Sequence, residues 1–190
     1  MLSALLLAAC GSSGGDATST TSATPATETT ASTTPAASTP TAVASDVTCG
    51  IPNFQNDLVA SINARRGAGA VCGGVGYPAV GAVAWDGQLQ NAATVHSTDM
   101  ATKNFFSHTG SDGSTLRQRV PAAGYNYRKA GENIAAGQGS VAQVVADWMA
   151  SPSHCVNMMQ PEFRDLGVSC KSNSASEYKT YWTLELGVRQ

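Results

Sequence analysis

From residue 53 to 66 the apolar positions Phe54, Leu58 and Ile62 recur every fourth residue, which predicts one buried helical face that Gly67 ends. A Gly-rich stretch, residues 67–81, reads as a loop pinned through Cys72. A second helix is predicted over 86–103, with the stripe Leu89, Ala93, His96 and Met100. A short third helix spans 115–123, closed by Pro121 and Gly124. Ser140 suits an N-cap for a fourth, whose stripe is Val141, Val144, Val145 and Trp148. Ser151-Pro152 stops that helix and restarts another carrying His154, Cys155, Met158 and Met159, since proline is favoured at a first helical position.

Period-two alternation comes late in the chain. Residues 165–171 and 179–188 read as strands of an antiparallel hairpin around the turn-rich 172–176. In the second strand Trp182, Leu184 and Leu186 share one face, and Tyr181, Thr183 and Glu185 share the other. A third strand near 132–135 completes a small antiparallel sheet flanked by helices, an α+β fold of α-β-α sandwich type.

Composition confines this fold to part of the chain. Of the 37 residues from 11 to 47, 32 are Ser, Thr, Ala, Pro or Gly, too little apolar surface to offset chain entropy, so the globular domain is residues 48–190. The apolar residues 1–9 are too few to span a bilayer, and Leu7-Ala8-Ala9-Cys10 places small residues before a lone cysteine. This resembles the bacterial lipobox. The expectation is an exported protein whose residues 1–10 form a lipoprotein-type signal peptide, with a lipid on Cys10 as its sole membrane contact; a soluble secreted product is the alternative. The intervening segment then serves as a stalk with a reach of roughly 35 Å by square-root scaling.

Charge removes one class of partner. The chain carries a formal net charge of -2, and the tail acids Asp16, Glu28 and Asp46 account for it, leaving residues 48–190 with one excess positive charge and no basic cluster. Nucleic-acid binding is not expected. Cys49, Cys72, Cys155 and Cys170 form an even set suited to an oxidising compartment. Pairing Cys49 with Cys72 and Cys155 with Cys170 is expected because each pair brackets one short segment. A zinc site is the competing reading, but no two of the four stand two to four residues apart.

The candidate chemistry is histidine and carboxylate. His108 follows Phe105-Phe106-Ser107 and precedes the turn at 110–113, which suits a pocket residue. Glu132 sits between Gly131 and Asn133 at a strand, where a solvated Glu is poorly placed. His96, on a helical face with Leu89, Ala93 and Met100, reads as an interior histidine rather than a ligand. Ser107 and Ser153 adjoin histidines in sequence, but neighbours on a helix or strand point apart. Neither a Gly-x-Ser-x-Gly elbow nor a His-Glu-x-x-His helix is present.

Seven strings stand in order: Ala92-x-x-x-His96-Ser97-x-Asp99-Met100-Ala101, Phe106-Ser107-His108, Ala122-Ala123-Gly124-Tyr125, Ala130-Gly131-Glu132-Asn133-Ile134-Ala135, Trp148-Met149-x-Ser151-Pro152-x-His154, Gly167-Val168 and Tyr181-Trp182-Thr183. Together they resemble the bacterial branch of the CAP family of cysteine-rich secretory, antigen 5 and pathogenesis-related 1 proteins, also called the SCP domain. The resemblance implies an exported, disulfide-stabilised α-β-α sandwich with a central cavity. In the animal and plant branches that cavity holds two His and two Glu, for which divalent metal binding is proposed. His108 and Glu132 match two of the four; Ser151 stands where those branches have Glu, and Tyr181 replaces their second His.

The expected cavity lining is therefore His108, Glu132, His154 and Tyr181. A divalent metal, if held, would use His108, Glu132 and His154 plus an open water position. Otherwise those three form a hydrogen-bonded network that fixes the cavity walls, and no cofactor is required. The leading expectation is a monomeric cell-envelope protein that binds a lipid, a small apolar molecule or another extracellular ligand, as some eukaryotic relatives bind sterols and lipids. The alternatives are a metal-assisted hydrolase of peptide or cell-wall material, with Glu132 as base, and a structural or signalling domain.

Overall fold

A computed structural model describes residues 46–190. Cys10 and residues 11–45 of the Ser/Thr/Ala/Pro stretch lie outside the described residues. Helix α1 spans Phe54–Ala68, one residue past the expected Gly67 stop, and ends where Gly69 takes a φ of 76°. A Cβ on Gly69 would lie 2.9 Å from the Tyr77 carbonyl oxygen. The stretch read as a loop contains a short hairpin, β1 (Ala70–Cys72) and β2 (Val75–Tyr77), followed by β3 (Ala84–Trp85). Helix α2 (Gly87–Lys103) starts at Asp86, whose carboxylate accepts from the Gln88 and Leu89 amides. Then come α3 (Leu116–Ala122), β4 (Tyr127–Ala136), α4 (Val141–Ala150), α5 (Pro152–Met158), β5 (Asp165–Ser172) and β6 (Thr180–Arg189).

The four-stranded sheet has the order β3-β5-β6-β4. The β5, β6 and β4 pairings are antiparallel, and the two-residue β3 joins β5 in parallel. Alternation on β6 splits the core into two layers. Trp182, Leu184 and Leu186 pack with Phe54, Leu58 and Ile62 of α1 and with the α4 stripe Val141, Val144, Val145 and Trp148. On the other face Tyr181 packs with Met100, Ala101 and Ile134, while Leu89, Ala92, Val120 and Tyr125 form an adjoining cluster. Helix α2 comes so close to the sheet that a Cβ on Gly167 would lie 2.0 Å from the Gln90 amide nitrogen.

The disulfides correct the expected pairing: Cys49 joins Cys170 and Cys72 joins Cys155, across 121 and 83 residues. Topology overrides nearness in sequence. Thr48 bridges to Cys170 beside β5, and the Cys170 amide donates to the Val47 carbonyl, which brings Cys49 to the sheet. Cys72 on the β1–β2 hairpin packs against Cys155 and Met159 at α5. Arg66, fully buried in the last turn of α1, fixes the far end of α5. Its guanidinium donates to the carbonyls of Gly81, Met158, Gln160 and Phe163.

Candidate functional site

Strand β4 is an edge of the sheet, and its residues 131–136 border a groove between the loop after α2 and the α4–α5 corner. One end, about 350 Å³, is lined by His108, Gly131, Glu132, Asn133, His154 and Asn157 among others. The other, about 340 Å³, shares His154 and adds Phe106, Ile134, Trp148, Ser151 and Tyr178. His108, Glu132 and His154 thus face one hollow. Tyr181 lies behind the wall: it is fully buried, its hydroxyl donates to Asn104 Oδ1 at 3.1 Å, and its ring meets that of groove-lining Tyr178 at 6.0 Å.

The α5 wall is held to β4 by short polar contacts. Asn133 Nδ2 donates to the His154 carbonyl at 3.1 Å, and Asn157 Nδ2 donates to Asn133 Oδ1 at 2.9 Å. A Cβ at Gly131 would lie 2.2 Å from Asn157 Oδ1, so a larger residue there would have to displace the Asn157 side chain that binds Asn133. Across the groove the paired phenylalanines separate by function. Phe105 turns inward to meet His96 edge-on at 6.5 Å, while Phe106, exposed, packs on Tyr178 with centroids 5.9 Å apart.

The polar centre has one consistent protonation pattern. Glu132 Oε1 lies 2.7 Å from His108 Nδ1, and a carboxylate accepts, so Nδ1 carries hydrogen and Nε2 is left for the groove. Glu132 Oε2 accepts from Arg119 Nη2 at 2.6 Å; both side chains are nearly inaccessible. Arg119 also donates to the carbonyls of Ser114 and His108, which ties the loop carrying His108 to α3. Burial pushes the Glu132 carboxyl upward, but the His108 hydrogen bond and the Arg119 charge outweigh it and hold the group below the usual carboxylate range. Burial, with a smaller effect of positive charge at His108, lowers the pKa of His154.

Two participants were not picked out from sequence. Arg119 sits on a short helix whose other face is apolar, and nothing in its spacing points to Glu132. Glu185 lies directly opposite Glu132 in the β4–β6 register and is completely buried. A Glu between leucines in a strand carries the same signal that singled out Glu132. His96 is interior: its Nε2 lies 2.8 Å from the Ser107 carbonyl, so that nitrogen carries the hydrogen, and burial lowers its pKa despite the opposing charge of Glu132.

Glu132 does not fit as a direct ligand of a divalent cation: both of its oxygens are engaged, one by a guanidinium that would oppose a second positive charge, which leaves only the imidazoles of His108 and His154 as donors. No group of three His, Cys, Asp or Glu side chains among the described residues converges as a metal centre.

A sheet covered by helices on both faces, with a histidine–glutamate groove at its edge strand, is an α-β-α sandwich. The chain belongs to the cysteine-rich secretory protein (CAP) family, which it matches over residues 59–186. It is 37% identical over 83 residues to the uncharacterised protein YkwD of Bacillus subtilis, a match covering 44% of this chain and 32% of that protein. An extracellular protein containing an SCP domain from Bacillus anthracis is similar in structure at 31% identity, with a TM-score of 0.51 over 58% of this chain and 35% of the other. An outer surface protein of Borrelia burgdorferi shares the fold at 20% identity, with a TM-score of 0.53 over 58% and 80% of the two chains. The matched stretch is thus about a third of the two Bacillus proteins.

Proposed function

We propose that this chain is an exported bacterial CAP domain, tethered by a lipid on Cys10, that binds an elongated extracellular ligand as a monomer. The observation that carries this reading is the shared hollow. His108 Nε2 and the polar α5 residues form one end, and Phe106 and Tyr178 supply exposed aromatic surface at the other, with the buried Trp148 beneath. Such a groove suits an amphiphile or a sugar-bearing fragment, held by hydrogen bonds at the histidines and by stacking on the rings. The lining is more polar than a purely apolar ligand requires. Extracellular relatives and two disulfides support export. Among the described residues no helix is long and apolar enough to cross a membrane.

The test is titration of the protein with a soluble muropeptide digest and, separately, with a lysophospholipid, read by tryptophan fluorescence because Trp148 lines the groove. At least one probe should bind saturably, and His108→Ala and Phe106→Ala should each weaken it at least about tenfold, the loss of roughly one good contact, with the circular-dichroism spectrum of the folded protein retained. Saturable binding indifferent to both substitutions, or no binding of either probe, would remove the groove as the site. No observation favours the hydrolase reading, since no hydroxyl in the groove is hydrogen-bonded to His108 among the described residues and the donors do not suit a metal.

A further inference from the structure

Behind the groove the sheet holds a second carboxyl that the ligand-binding reading does not use. Glu185 is completely buried on the β6 face that meets α2, and neither of its oxygens receives a hydrogen bond from a nitrogen or hydroxyl donor among the described residues. Its cross-strand neighbour is Glu132, so two carboxyls stand side by side on one face of the ladder. The nearby guanidinium makes no hydrogen bond to Glu185: Arg119 gives its Nη atoms to Glu132, Ser114 and His108, and its buried Nε has no partner among the described residues. One fixed positive charge therefore faces two acids.

The other groups on this face do not supply the missing charge. His96 of α2 spends its Nε2 hydrogen on the Ser107 carbonyl and leaves a bare, unpartnered Nδ1. His108 meets Glu132 from the loop. Asp99 of α2 accepts from Ser111, and Asp165, two residues along β5 from the Gly167 that faces Glu185, accepts from Tyr125. Lys171 of β5 feels the charge of Asp46, at the opposite end of the strand. An ionised carboxylate that is fully buried beside a like charge and without its own cation is the unfavourable state; taking up a proton removes both penalties.

We propose that Glu185 is kept as a neutral carboxylic acid in the folded protein and shares its proton with Glu132 across the β4–β6 ladder, acting as a positioning residue for the His108 site. With Glu185 neutral, the pair carries a single negative charge, which Arg119 balances. His108 then meets one carboxylate rather than two, and its Nε2 is left toward the groove. Burial, then the Glu132 charge, raises the Glu185 pKa well above the carboxylate range, in agreement with this arrangement. The inference concerns the same site as the ligand-binding reading but not its ligand, and its test involves no ligand.

The test is infrared difference spectroscopy of the full chain at pH 7, combined with NMR titration of His108. The folded protein should show the carbonyl stretch of a protonated carboxylic acid, and Glu185→Gln should abolish it. Gln imitates the neutral acid, so the proton affinity of His108 in the variant should change less than about threefold; removal of an ionised neighbour would lower it about tenfold or more. Absence of the acid band from the wild-type protein at pH 7 overturns the proposal, as does a tenfold fall in His108 proton affinity in the variant. The wild-type spectrum decides the question even if the variant does not fold. Loss of muropeptide or lipid binding leaves this result untouched, so the two readings fail separately.

Discussion

Replacing Arg119 by Met tests the electrostatic centre with little change in side-chain bulk. The Arg119 and Glu132 side chains are only 2% and 4% exposed, so the pair is not screened by solvent. Breaking a buried pair from one side typically costs about 3–5 kcal/mol, because the remaining charge stays buried. Here the penalty includes Glu132 beside Glu185 and two carbonyls that lose a charged donor. A loss of about 4 kcal/mol, or roughly 10 °C in melting temperature for a domain of this size, is expected in urea and thermal unfolding at pH 7. Glu132→Gln in the same background should recover about 2 kcal/mol, since the stranded charge is gone. The pH dependence has a definite sign. The folded-state pKa of Glu132 is depressed, so its contribution is present above its unfolded value and is lost as pH falls through the folded one. The gap between wild type and Arg119→Met should therefore narrow below about pH 4. A loss under about 1 kcal/mol, or a gap that does not depend on pH, would refute the buried-pair argument.

The disulfides make a second prediction: a non-reduced digest should yield peptides linking Cys49 to Cys170 and Cys72 to Cys155, and a Cys49–Cys72 peptide would contradict the fold. Because the loops span 121 and 83 residues, Cys49→Ser/Cys170→Ser and Cys72→Ser/Cys155→Ser should each cost about 4–5 kcal/mol on the chain-entropy estimate, measured by urea unfolding. Glu185, whose folded pKa is raised, stays protonated while the unfolded chain ionises, so it lowers stability as pH rises above about 4.5, by at most about 1.4 kcal/mol per unit. Glu185→Gln should flatten that limb, and an unchanged slope would show that the group is ionised. Gly167→Ala should destabilise by about 3 kcal/mol or more, the upper end of overpacking, because its Cβ would meet the α2 backbone rather than a movable side chain; a neutral result would mean that α2 does not pack so closely.

Elements whose burial repeats along the chain were legible from sequence. The apolar stripes of α1, α2 and α4 and the alternation of β5 and β6 each record one neighbour, so periodicity placed them within a residue or two. The strand of β4 was read at 132–135, although it extends over Tyr127–Ala136, because Arg128, Lys129 and Gly131 break its apolar pattern. The tiny β1, β2 and β3 carry too few residues for any period to show. Disulfide partners and the Arg119–Glu132 pair depend on which distant segments meet, 121 residues apart for Cys49 and Cys170, and local pattern holds no record of that. Glu185 is different, since a Glu embedded in an otherwise apolar strand was visible; its partner across the ladder was not.

The chain has three histidines, which makes the groove directly observable. Nitrogen-15 spectra of the imidazoles, recorded as the muropeptide digest or the lysophospholipid is added, report on His108 and His154 in the groove and on His96 as an internal reference. The ligand-binding account predicts that one of the probes moves the His108 and His154 resonances together and saturably while His96 stays still. Resonances that remain unmoved with both probes, or movement confined to His96, would contradict it.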